Sequence, residues 1–78
     1  MTTAIQLLDT VAVTHDLPDW NLTAGEVGAV VEVLAPDAFE VEFCDEAGRT
    51  YGLYTLRADQ IIPLHMRGQA LRLRSAAA

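Results

Sequence analysis

The side chains able to do chemistry are few and widely spaced. Cys44 is the single thiol, and His15 and His65 stand 29 and 21 residues from it. A thiol–imidazole nucleophile needs both groups within hydrogen-bond reach, and this spacing does nothing to bring them together. The same three residues lack the paired spacing of a metal site, such as two cysteines or two histidines a turn apart. Ser75 is the only serine and sits near the end of the chain. Gly25 and Gly28 are not followed by the Lys-Ser/Thr of a phosphate-binding loop. Asp45 and Glu46 are adjacent acids that read as a solvated turn. No enzyme, cofactor or metal site is therefore expected.

One constellation points to recognition instead. Asp16, Asp19 and Trp20 fall in one polar stretch, and Tyr51 and Tyr54 in another. Rings beside carboxylates can hold a basic or proline-containing peptide, the rings stacking on it and the acids pairing its cation. The competing expectation is that Trp20 folds over one end of the domain while Tyr51 or Tyr54 completes a small core. Glu40 and Glu42, with Glu32 nearby, form an acidic stripe, either a solvated face or one that steers a basic partner. The partner contacts expected from the sequence are Asp16, Asp19, Trp20, Glu40, Glu42 and Tyr54.

The elements that must position these residues are strands. Phe39, Val41 and Phe43 alternate with Glu40 and Glu42, which gives an apolar face and an acidic face. Val27, Ala29, Val31 and Val33 share a parity on the preceding strand, with Val30 and Leu34 on its other face. Pro36 and Asp37 suit the centre of the turn between them, so residues 26–44 are expected to form a hairpin. Residues 8–14 read as a first strand with Val11 and Val13 on one face. A long loop, residues 15–25, follows and ends at Gly25, which suits a positive φ. Residues 46–49 make a turn and residues 50–56 a fourth strand. Residues 57–60 fit a single 3₁₀ turn, and residues 61–64 a fifth strand with Pro63 at an edge position. The expected fold is all-β: a small five-stranded SH3-like barrel over residues 1–65. A five-stranded oligonucleotide-binding barrel fits less well, because no helix fits between the third and fourth strands. Residues 66–78 are expected as an Arg/Ala-rich tail, flexible or a short helix.

Bulk properties narrow the classes further. The chain has 78 residues, 51% of them apolar, enough for one small core and too few for a dinucleotide-binding fold or a catalytic barrel. A lone cysteine excludes an internal disulfide framework. No secretory leader pattern or membrane-length apolar run is present, so a soluble cytoplasmic protein is expected. The net charge is −6, but it is unevenly spread. Residues 1–64 carry −9, and residues 65–78 carry +3 from Arg67, Arg72 and Arg74. A body of −9 repels a phosphate backbone, so nucleic acid is disfavoured as its ligand.

Several segments together resemble the bacterial domain-of-unknown-function 4926 family. They are Leu8-Asp9-Thr10-Val11, Asp16-Leu17-Pro18, Leu22, Ala24-Gly25, Val27-Gly28-Ala29-Val30-Val31, Phe39-Glu40-Val41-Glu42-Phe43, Gly48-Arg49-Thr50, Leu56 and Ala58-Asp59. The likeness spans about residues 6–64. Trp20 departs from its pattern, and the arginine tail lies beyond its usual end. It implies a small SH3-like barrel and no catalytic residues. Its more distant resemblance is to barrels of transcription and ribosome factors and to accessory subunits of enzymes, which bind something larger; fold alone does not fix function. The expected function is a non-enzymatic module that binds a protein partner through an acidic surface. The alternatives are a nucleic-acid-associated barrel using the basic tail, and an accessory subunit of a larger enzyme. A homodimer, the tail of one copy on the acidic face of another, is a further expectation.

Overall fold

A computed structural model describes residues 5–67 and 70–72, with side chains for residues 5–64. The backbone forms β1 (Thr10–Val13), β2 (Val27–Ala35), β3 (Ala38–Cys44), β4 (Thr50–Arg57), β5 (Ile61–Arg67) and a short β6 (Ala70–Arg72). Two 3₁₀ turns, Pro18–Trp20 and Ala58–Gln60, interrupt the strands. All pairings are antiparallel, in the order β4-β3-β2-β1-β5-β6. The all-β architecture expected from the sequence is the one observed. Among the described residues no ladder joins β4 to the β5–β6 end, so hydrogen bonding does not close the sheet into a barrel.

The hairpin of β2 and β3 follows directly from local sequence. Ala35 pairs with Ala38 across Pro36-Asp37, and Phe39, Val41 and Phe43 all point into the core. From the other strands come Val11, Val13, Val30, Leu56 and Ile61. A single sheet can shield such a cluster only by curling over its own inner face, since no second layer is present among the described residues.

The first loop supplies the missing cover. Leu17 and Leu22 exchange backbone hydrogen bonds (2.9 and 3.1 Å) and are both buried, closing the neck of the loop over the core. Gly25 takes φ +94° in the turn that leads into β2. Pro63 stands opposite Val11. The bond from Thr14 N–H to the Gln60 carbonyl (3.0 Å) sets the alternation, so Val11–Pro63 is a non-bonded pair and the missing N–H costs nothing.

Three details differ from the sequence reading. In β2 the buried positions are Gly28 and Val30, while Val27, Val31 and Val33 are 38–48% exposed. The ladder to β3 shifts register between Val30 and Glu32 and again between Val33 and Ala35, so Val31 and Leu34 are bulged residues. Each extra residue reverses the faces, and a parity count along the strand fails at each bulge. β1 is shorter than residues 8–14, because Asp9 N–H bonds to the Gln6 carbonyl (3.0 Å) and Leu8 turns through φ 71°. β5 continues to Arg67, and residues 70–72 are extended along it. The rest of the basic tail, residues 68–69 and 73–78, lies outside the described residues.

Candidate binding cleft

Trp20 is held by local chemistry. Pro18 opens the 3₁₀ turn with a φ already suited to it. Asn21 closes it in the left-handed region (φ 57°) and donates its N–H to the Pro18 carbonyl (3.1 Å). Asn tolerates this conformation better than most side chains. Asp16 pins the far side of the loop, its Oδ1 accepting from Ala24 N–H at 2.9 Å. Asp16 is thus a loop staple, with one oxygen engaged in positioning backbone.

The indole lies flat on Tyr54, with centroids 5.4 Å apart and planes 12° from parallel. Tyr54 packs in turn against buried Phe43 at 6.3 Å. Gly52 makes room for this: it stands opposite Phe43 in the ladder, and a Cβ there would collide with the Tyr54 ring. One face of Trp20 is covered in this way, yet the residue remains 38% exposed. Tyr54 extends the core, and Trp20 stacks on it without disappearing into the core.

Beside Trp20 lies an open cleft of about 200 Å³. The loop contributes Leu17, Pro18, Asp19 and Trp20 to one wall, and Thr55, Arg57 and Gln60 form the other. Gln60 Oε1 accepts from Arg57 N–H (2.8 Å), which fixes the second 3₁₀ turn. Arg57 Nε reaches Asp59 Oδ1 at 3.2 Å, and both side chains are largely exposed. Such a surface pair contributes between nothing and about 1 kcal/mol and leaves the guanidinium able to exchange partners. The cleft is therefore aromatic with an acid on one wall and a base on the other, rather than uniformly acidic.

The six expected contacts divide between two places. Asp19 and Trp20 line the cleft, Tyr54 underlies it, and Asp16 braces its loop. Glu40 touches its margin, accepting from the hydroxyl of Thr55 (2.8 Å), a cleft residue. Glu42 belongs to the outer face, where it accepts from Thr50 Oγ1 and borders a shallow groove of about 290 Å³ with Thr10, Val27, Gly28, Ala29 and Cys44. Glu32 stands directly opposite Glu40 in the ladder. Arg57, Gln60, Pro18 and Thr55 were not singled out in the sequence. The 3₁₀ turn over residues 57–60 was readable, but its position beside a loop some 40 residues earlier had no sequence signal.

A further contact binds the end of the loop to the sheet. Glu26 accepts from Thr23 N–H (2.6 Å) and from the Tyr51 hydroxyl (2.5 Å). The hydrogen bond to that carboxylate, with lesser effects of burial and of the negative charge itself, pushes the Tyr51 phenol up to about 12. Cys44 is exposed, with its sulfur 3.7 Å from Thr50 Oγ1. Among the described residues no three of His, Cys, Asp and Glu gather as metal ligands. No described helix is long and apolar enough to cross a membrane.

A curled antiparallel sheet with an aromatic cleft between its first loop and its last 3₁₀ turn defines a small all-β domain. The family model described as Domain of unknown function (DUF4926) matches residues 7–63, and the chain belongs to that family. No curated protein and no solved structure matches the chain.

Proposed function

We propose that this protein is a non-enzymatic interaction module of the cytoplasm, a partly open SH3-like barrel that holds a segment of a protein partner in the Trp20 cleft. The observation that carries this reading is the exposure of Trp20. A chain of this size has two phenylalanines, two tyrosines and one tryptophan to build with, yet the largest ring lies at the lip of an open cleft. Its inner face is held on Tyr54, so its orientation is set before any ligand arrives, which lowers the ordering cost of binding. A proline or other apolar side chain of the segment would lie against Trp20 and Pro18. Asp19 would pair a cation on one side, and Arg57 a carboxylate on the other.

The test is affinity capture from host lysate with three baits: the wild type, Trp20→Ala and Glu42→Gln. The expected result is a protein retained by the wild type and Glu42→Gln and lost with Trp20→Ala. With that protein purified, Trp20→Ala weakens binding by roughly 30-fold or more, as for other central aromatic anchors. The same substitution costs about 1 kcal/mol of stability, the scale of one aromatic pair. Capture unaffected by Trp20→Ala contradicts the reading. Captured material that disappears on nuclease treatment moves the function to nucleic acid.

A further inference from the structure

We infer that the outer face of β2 and β3 is a docking surface for a second copy of this chain, whose basic alternating segment at residues 70–74 lies across it. This surface meets the Trp20 cleft only at Glu40, which accepts from the Thr55 hydroxyl. It carries Glu32, Glu40 and Glu42, and Glu32 faces Glu40 directly across the ladder. Like charges so placed raise the local negative potential and destabilise the sheet slightly. The ion pairs present among the described residues, Arg49–Asp45 and Arg57–Asp59, do not neutralise these three acids. Next to them the small residues Gly28 and Ala29 leave the groove of about 290 Å³, edged by Val27, which is 48% exposed. The face thus combines an acidic rim, without ion pairs among the described residues, with an apolar trough.

The chain itself contains the complement. Ala70-Leu71-Arg72-Leu73-Arg74 alternates apolar and basic residues, the pattern of a strand with a leucine face and an arginine face. Residues 70–72 are already extended, paired to β5 at the opposite end of the sheet from β4. In the sheet order β5, β1 and β2 lie between this segment and β3 of its own chain. Reciprocal exchange between two copies brings each arginine segment to the other's acidic face, and such a twofold arrangement closes as a dimer. With the arginine face of the segment turned to the sheet, Arg72 and Arg74 would meet the carboxylates. The excess of −9 over residues 1–64 and +3 over residues 65–78 is the charge imbalance this contact offsets.

The experiment is a charge swap read by sedimentation equilibrium on the full chain. The wild type is expected at twice the 8.5 kDa monomer mass. Glu40→Arg/Glu42→Arg and Arg72→Glu/Arg74→Glu are each expected to raise the dimer dissociation constant at least tenfold. Mixing the two variants is expected to restore a dimer, because one reversed face then meets one reversed tail. Trp20 emission and circular dichroism report whether each variant folds. If the arginine substitutions unfold the sheet, Glu40→Gln/Glu42→Gln gives the same readout with less disturbance. A wild type that stays monomeric to millimolar concentration overturns the proposal, as does a dimer indifferent to both reversals or a mixture that fails to re-form.

Discussion

The two faces of the β3–β4 ladder differ in how they were assembled. The inner face supplies the Tyr54 floor of the Trp20 cleft, which is assembled through contacts far apart in sequence: Trp20 on Tyr54 and the first loop beside Arg57 and Gln60, with Glu26 on Tyr51 bracing the loop. The outer face arises almost entirely from period-two alternation in β3, which alone puts Glu40 and Glu42 side by side. The first is a pre-positioned pocket whose polar groups hold one another. The second is a charged surface that the sheet exposes and whose acids form no ion pair among the described residues. Substitutions that separate the two faces sharpen this contrast, and those that damage both mark where they share support.

The largest effect is expected at Gly28, which supports both faces. A Cβ there would stand 2.7 Å from the Glu42 carbonyl oxygen and 2.9 Å from Phe43 Cδ2. The obstacle is backbone, so β3 itself must move. Gly28→Ala is expected to cost about 2–3 kcal/mol, lowering Tm by roughly 10 °C or more in a thermal melt. Gly52→Ala should be smaller, about 1–2 kcal/mol, because the ring of Tyr54 can swing where backbone cannot. Its signature is local: displaced Tyr54 releases Trp20, and the tryptophan emission shifts red while the acidic face is unchanged.

These two glycines also show what the sequence could and could not disclose. The β2–β3 hairpin was readable because Pro36-Asp37 and the Phe39/Val41/Phe43 alternation are local signals. The faces of β2 were not, because the bulges at Val31 and Leu34 are consequences of pairing with β3. Asp19, Trp20 and Tyr54 were singled out by residue type, and the structure brings them to one place. Asp16 was singled out by the same logic but spends a carboxylate oxygen on Ala24 N–H. Residue type alone does not mark Arg57, because its place in the cleft depends on which loop stands opposite. Nor does it mark Leu17 and Leu22, because core residues inside a loop have no periodicity to reveal them.

A pH titration probes the strut between loop and sheet. The Tyr51 phenol is raised from 10.0 to about 12, chiefly by its hydrogen bond to Glu26. The native state therefore keeps this proton over a range in which the unfolded chain has lost it. The contribution to stability is complete below pH 10 and declines as pH rises toward 12. Absorbance at the phenolate band should show one tyrosine titrating near 12, and Glu26→Gln should bring it back toward 10. A Tyr51 that titrates normally in the wild type would remove the strut from the account.

The smallest effect lies on the outer face. Glu32→Lys replaces a like-charge pair with an opposite one across from Glu40, and is expected to stabilise the monomer by about 0.5 kcal/mol. Chemical denaturation at low salt would resolve it. No gain, or a loss, would mean that the carboxylates are already relieved by solvent, and the contrast between the faces would weaken.

Trp20, the only tryptophan in the chain, can report binding in the cleft by its own emission. The captured partner, or the peptide segment mapped from it, is titrated into the full-length protein while tryptophan emission and acrylamide quenching are followed. A saturable blue shift and a loss of quenching are expected at the same midpoint as binding measured calorimetrically. Full-affinity binding with Trp20 emission and quenching unchanged would place the partner elsewhere and contradict binding in the cleft.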